Sequence, residues 1–348
     1  MPRLAIVSSL CLALLGVAAL PAHAQENAAV CKDESSAPDT AIAACSKIIS
    51  TSKAKTNDLA STYYNRAIGY RQKNDLDNAL SDYSDAIKIN PKHARAFNNR
   101  GTIYKEKGDL DRAIADFSEA IRLDAKFAAA YFNRGNAYDD KGDGEKALAD
   151  LEAAIKLDPK NAAALTVRGV VYRRKGDIER AVADFTQAIE LDPAYAIAYA
   201  NRGDAFEEKG ESEKALADLV RAINLNPNST RALAVRGYLY RKKGDLDRAI
   251  VDYGEIIRID PKSDDAHMRR SEAWLAKGDR LTALRDADEA VKLDPNAPVN
   301  YAARAAVMRA LSRNDDAIAD LRKALTLNPS EARKRQIETA LKELGAAP

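Results

Sequence analysis

From Ala60 onward, apolar residues recur at spacings of three and four, and short polar breaks interrupt them at regular intervals. This is the pattern of amphipathic helices joined by tight turns. Residues 94–107, ARAFNNRGTIYKEK, carry one apolar stripe, Gly108 and Asp109 interrupt it, and residues 110–123, LDRAIADFSEAIRL, carry a second. A glycine just past the first stripe suits the left-handed backbone that ends helices. Asp109 is placed to cap the next helix, and acids in the first turn (Asp77, Asp111, Glu145, Glu179, Glu213, Asp247) suit its dipole. Pro91, Pro159, Pro193, Pro227, Pro261, Pro295 and Pro329 end each second helix, because proline has no amide hydrogen to donate; Ala125 is the one departure.

The two-helix unit repeats every 34 residues without insertion, in eight blocks beginning at Ala60, Ala94, Ala128, Ala162, Ala196, Thr230, Asp264 and Pro298 and ending at residue 331. Within a block, position 8 is Ala, Gly or Ser and position 20 is always Ala. Position 11 is a ring in seven blocks (Tyr70, Tyr104, Tyr138, Tyr172, Phe206, Tyr240, Trp274), with Met308 in the last. Small residues facing large ones let paired helices interlock, so these rings are expected in the core. One pair cannot bury its apolar face alone, so neighbouring pairs must stack.

A 34-residue helix–turn–helix with Gly at 8, Tyr at 11, Ala at 20, an aromatic or Leu at 24, Ala at 27 and Pro at 32 resembles the tetratricopeptide repeat family. The resemblance implies an all-α fold, a right-handed superhelical α-solenoid whose first helices line a concave groove. Residues 25–59 are expected to form a degenerate N-terminal repeat, since DTAIAACSKII (39–49) aligns with DNALSDYSDAI (77–87). Residues 332–348 are expected to close the other end, within an amphipathic helix carrying Ile337, Ala340, Leu341 and Leu344 on one side.

Two charged positions depart from the family pattern. Position 7 is Arg and position 23 is Asp in all eight blocks, where the family tends to have Leu and an aromatic. A site for an irregular partner would vary along the chain, so the uniform pair is expected to be a ladder of ion pairs between helices, with Arg binding each carboxylate bidentately. Binding is expected where blocks differ, at the first-helix positions that the resemblance turns toward the groove. Position 6 offers Asn65, Asn99, Asn133 and Asn201, with Asn98 and Asn136 beside them, amides able to bond a peptide backbone. Positions 12 and 13 alternate in sign through Lys105-Glu106, Asp139-Asp140, Arg173-Arg174, Glu207-Glu208 and Arg241-Lys242, which suits a mixed-charge partner. Tyr64, Phe132 and Tyr238 are the groove aromatics. The family's clamp for C-terminal carboxylates is not matched: Asn136 is the only Asn at position 9, and its block has Phe132 at position 5 while the next has Val167 at position 6.

Composition narrows the remaining choices. Fifty-four Lys and Arg against 52 Asp and Glu leave a net charge of +2, so no strong field favours nucleic acid or an anionic membrane. Residues 1–24 have the form of a secretory leader: Arg3, the apolar run 4–20, Pro21, then Ala22-His23-Ala24. Cleavage after Ala24 would place the chain in the periplasm or outside the cell, with no membrane span left. There, Cys31 and Cys45 form an even pair, for which a disulfide is favoured over two free buried thiols. No catalytic or cofactor motif appears, and His93 and His267 stand apart from any nucleophile or metal-ligand pattern. The sequence therefore points to a non-enzymatic adaptor, without cofactor or metal, that holds an extended peptide or protein in the groove. A carbohydrate- or envelope-polymer-binding solenoid is the second reading; sugar stacking asks for a stripe of aromatics, and three scattered ones favour the first.

Overall fold

The computed structural model describes residues 22–33, 35–52 and 56–347. The leader expected at residues 1–24 lies outside them, apart from the backbone of Ala22–Ala24. Among the described residues there are nineteen α-helices and no strand. No described helix is long and apolar enough to cross a membrane.

The helices divide into two compact units between Leu157 and Asp158. The first holds α1 (Ala22–Lys32), α2 (Pro38–Thr51), α3 (Asn57–Gln72), α4 (Leu76–Ile89), α5 (Ala94–Glu106), α6 (Leu110–Leu123), α7 (Ala128–Asp140) and α8 (Gly144–Leu157). The second holds α9 (Ala162–Arg174), α10 (Ile178–Leu191), α11 (Ala196–Glu208), α12 (Ser212–Leu225), α13 (Thr230–Lys242), α14 (Leu246–Ile259), α15 (Asp264–Lys277), α16 (Arg280–Leu293), α17 (Pro298–Ala310), α18 (Asn314–Thr326) and α19 (Glu331–Glu343). Inside each unit every helix packs on the one before and the one after it, and successive first helices also touch: α5 with α7, α9 with α11, α11 with α13, α15 with α17.

Turn chemistry sets the helix ends. Gly108, Gly142, Gly176, Gly210, Gly244 and Gly278 all take φ between 76° and 93°, and Asn74 and Ser312 fill the same register at φ 60°. Asp75, Asp109, Asp143, Asp177, Asp245 and Asp279 then accept a backbone N–H and cap the second helix. Glu211 and Arg313 occupy that place without capping. Asn90, Asp192, Asn226, Asp260 and Asp294, each before a proline, are extended as proline demands of its predecessor, whereas Asn328 before Pro329 takes φ 52°. Asp124 has the same geometry (φ −140°, ψ 95°) before Ala125, so the proline reinforces this turn without dictating it.

Packing follows the small-against-large pattern, with one revision. The alanines at position 20 are fully buried, as are Tyr83, Phe117, Leu151, Phe185, Leu219 and Tyr253 at position 24. A Cβ on Gly169 would stand 2.6 Å from the Phe185 ring, so only glycine admits the ring there. The position 11 rings are less buried than expected: only Tyr172, Tyr240 and Met308 are buried, and the others are half-buried. At either depth the rings lie beside cations: half-buried Tyr104 is 4.4 Å from the Arg112 guanidinium and 5.8 Å from that of Arg100, and buried Tyr240 is 4.2 Å from that of Arg248. At the amino end, Cys31 and Cys45 are buried side by side with Cα atoms 5.0 Å apart, a spacing that a disulfide spans. At the other end, α19 buries Ile337 and Leu341 against the cluster of Tyr301, Met308 and Leu321.

Candidate functional site

Three sets of charged pairs determine what the first helices can offer a partner. The deepest is the Arg–Asp ladder. Arg66, Arg100, Arg134, Arg168, Arg202, Arg236, Arg270 and Arg304 each donate through Nε and Nη2 to the Asp sixteen residues on, at 2.7–3.0 Å. Those carboxylates are 2–7% exposed. Burial outweighs the guanidinium at Asp82 and Asp252, whose carboxyls lie above their ordinary value. Most of these arginines use Nη1 as well, on the preceding second helix: Arg66 to Ser46, Arg100 to Ser84, Arg134 to Ser118, Arg202 to Thr186 and Arg304 to Asp288. Tying together neighbouring second helices is a scaffold task.

A second set, absent from the sequence reading, runs along the exposed turns. Lys73, Lys107, Lys141, Lys209, Lys243 and Lys277 pair with Asp39, Asp77, Asp111, Glu179, Glu213 and Asp247 of the preceding block. The third set corrects the expectation for positions 12 and 13. Their alternating signs are each other's partners: Arg71 with Glu106, Lys105 with Asp140 at 3.0 Å, Arg173 with Glu208 at 3.2 Å, and Lys242 with Glu207 at 3.8 Å. Arg241 reaches Glu272 at 3.5 Å. Arg173 and Arg231 also converge on Asp204, a residue of the inner face that periodicity alone did not single out. The charges therefore stitch adjacent first helices together, and a partner read by charge register would have to displace these pairs.

The uncharged groups are arranged differently in the two units. In the first, α3, α5 and α7 bring Tyr64, Asn98, Asn99 and Asn133 into one hydrogen-bonded line. Asn133 Nδ2 donates to Asn98 Oδ1 at 2.9 Å, Asn98 Nδ2 to Asn99 Oδ1 at 3.1 Å, and Asn99 Nδ2 to the hydroxyls of Tyr64 at 3.2 Å and Tyr83 at 3.3 Å. Tyr83 was expected only as core; its ring is, but its hydroxyl joins this line. Burial pushes the Tyr83 phenol up to about 12 despite the bond from Asn99, so it keeps its proton at neutral pH. A cleft of about 440 Å³ opens beside the line, walled by Ile68, Arg71, Gln72, Tyr83 and Asn99. Asn65 faces a separate, smaller cleft next to Cys31, and Phe132 and Asn136 are half-buried on α7 while Asp139 is buried.

In the second unit the expected residues are more dispersed. Asn201 is buried and donates to the Ile197 carbonyl of its own helix at 2.9 Å. Tyr238 is half-buried under Lys242, and Arg174 is exposed. Among the described residues no cluster of His, Cys, Asp or Glu is placed to hold a metal ion. His93 caps α5, and His267 is buried 3.4 Å from Asp286.

Comparison with known proteins agrees with this architecture. A tetratricopeptide repeat model matches residues 132–196, 166–230, 200–264 and 234–298, and a TPR repeat model matches 69–108 and 101–142. No curated protein matches the chain. Among solved structures, the APC/C hetero-tetramer Cut9–Hcn1 aligns with a TM-score of 0.58, at 16% identity, over 92% of this chain and 62% of that one. Pseudomonas aeruginosa PilF aligns at 0.55 and 18% identity over 60% and 94%, and the type IV pilus biogenesis factor PilW at 0.55 and 20% over 60% and 96%. At these identities the likeness establishes the fold alone. The family matches, however, run unbroken from 69 to 298, well over half of the sequence, and they fall on the same helix pairs that the 34-residue period marks out. The chain is a member of the tetratricopeptide repeat family.

Proposed function

We propose that this protein is a non-enzymatic interaction scaffold that holds an extended peptide or protein segment against the inner face of α3, α5 and α7. One observation carries the reading: the line from Asn133 through Asn98 and Asn99 to Tyr64 and Tyr83 fixes side-chain amides and phenols beside a cleft. Asn99, half-buried at the wall of the cleft, is the amide a peptide main chain would meet, and the Tyr64 and Tyr83 oxygens that accept from it hold it in place. Inner-face charges already bonded to one another favour a partner read through its main chain over one read through its charges. The same reading includes export: removal of residues 1–24 places the protein in the periplasm, where the Cys31–Cys45 pair would be oxidised.

The test is a peptide array probed with the full chain, with Asn99→Ala and Tyr64→Phe as inner-face variants and Arg112→Ala as a control on the exposed side of α6. Captured peptides should lose most of their signal with the first two variants and keep it with the third. Equal binding by all of them would remove the inner face as the site, and capture on a glycan array in place of peptides would select the carbohydrate reading.

A further inference from the structure

At the turn that enters α5, His93 supplies both a ring and a capping group. At this register Phe127 and Tyr195 supply rings without a cap, whereas Asn161, Ser229 and Ser263 cap without a ring. His93 Nδ1 accepts the Ala96 N–H at 3.2 Å, so this nitrogen holds a lone pair and the ring is neutral. The same ring lies 4.7 Å from the ring of Tyr64, whose hydroxyl accepts from Asn99 one turn further along α5. One side chain thus starts the helix that carries Asn98 and Asn99 and backs the Tyr64 ring of the candidate site.

We infer that His93 is a positioning residue for this inner face and makes it acid-sensitive: the neutral imidazole holds α5 and Tyr64 in register, and protonation releases them. A proton on Nδ1 turns the capping acceptor into a donor facing the Ala96 N–H, and the first turn of α5 loses its side-chain cap, keeping only the 2.9 Å bond from the Ala96 N–H to the His93 carbonyl. Burial outweighs the one group that favours the proton, a backbone hydrogen bond of His93 itself, and the other neighbours do not offset it. Tyr64 of α3 presents a neutral phenol, Asn90 at the end of α4 offers its backbone carbonyl to the His93 N–H, Lys92 precedes the ring in the chain, and Arg95 of α5 adds a positive charge. A cation over Tyr64 would recover a little, but burial and Arg95 hold the imidazole below its ordinary 6.5. With the folded value below the unfolded one, the stabilisation is complete above pH 6.5 and is lost as pH falls through the lower, folded value.

The use of this switch in binding rests on the peptide reading above, so its test needs no peptide. Amide hydrogen exchange of residues 94–99, corrected for the intrinsic rate, is followed in the full chain from about pH 7.5 to about pH 5, which spans the histidine range. Protection should fall about fivefold across it, the effect of a lost cap, while the start of α9, capped by Asn161, stays level. His93→Asn, which imitates Asn161, should keep the neutral-pH protection and abolish the fall; His93→Ser, imitating Ser229, serves if that variant does not fold. The Asn99 side-chain amide resonance should move with the same midpoint in the wild type only. A level wild type, or an equal fall in the variant, overturns the inference. A normal titration in a protein that captures no peptide would leave the switch standing and remove the peptide reading instead.

Discussion

Replacing Arg236 tests whether the Arg–Asp ladder acts through burial. Asp252 is the most buried of the eight carboxylates, at 2% exposure, and receives 3.0 and 2.7 Å bonds from Nε and Nη2 of Arg236. Arg236→Leu leaves that carboxylate unpaired in the seam between α13 and α14, at a cost of about 3–5 kcal/mol. Asp252→Leu should cost less, because the Arg236 side chain is 17% exposed and its guanidinium still reaches water. The Leu–Leu double variant, with no charge left to desolvate, should lie within about 1 kcal/mol of the wild type, so the coupling energy should be roughly 3 kcal/mol. The exposed pair between Lys243 and Glu213 sets the scale from the other side: with side chains 41% and 81% exposed, Glu213→Ala should cost under about 0.5 kcal/mol. Stacked repeats need not unfold as one unit, so urea unfolding by circular dichroism should be paired with hydrogen exchange over α13 and α14. Additive single variants, or a Glu213→Ala loss as large as that of Arg236→Leu, would refute burial as the deciding quantity.

Other consequences concern packing and the amino end. Gly169→Ala drives a methyl to 2.6 Å from the Phe185 ring and should cost about 1–3 kcal/mol in a urea melt; an unchanged midpoint would mean that the pair relaxes freely. Gly254→Ser should have the opposite sign, because Arg270 Nη1 stands only 3.5 Å from where a Cβ would sit and Ser118 already accepts from Arg134 in the equivalent place. Loss of a mid-helix glycine and gain of that bond should add about 0.5–1.5 kcal/mol, and any destabilisation would contradict it. Reducing a Cys31–Cys45 bond, which closes a loop of fourteen residues, should lower the stability of the first two helices by about 3 kcal/mol. Two thiols titrating with Ellman's reagent in the unreduced, unfolded chain would show that no such bond had formed.

The helix pairs, their turns and the Arg–Asp ladder were legible because each rests on a residue type at a fixed register. Gly108 and its equivalents announce a left-handed turn, Asp109 a cap, and the constant Arg and Asp one ion pair per block. The inner face was less legible. Lys105 and Asp140 look like two free charges in sequence and become one contact only when α5 and α7 are laid side by side. Tyr83 sits in a core register, and nothing in the sequence says that its buried hydroxyl meets Asn99. The position 11 rings show the same limit: helical periodicity gives direction, not depth, and Tyr104 is half-buried where Tyr172 in the same register is buried.

One irregularity in the exposed pairs indicates how partner-reading positions should be chosen. The register that holds acid and lysine through seven successive junctions holds Leu281 and Leu311 at the last, so both members are replaced together. Had each charge served a partner of its own, one could have changed without the other; joint replacement is what a mutual contact produces. The same reasoning applies to the inner face. Charge reversal at Arg173 would break its bonds to Asp204 and Glu208 before it told anything about a ligand. Variants that interrogate binding should instead fall on uncharged inner-face groups, Asn99 and Tyr64 foremost, whose removal leaves all three sets of ion pairs intact.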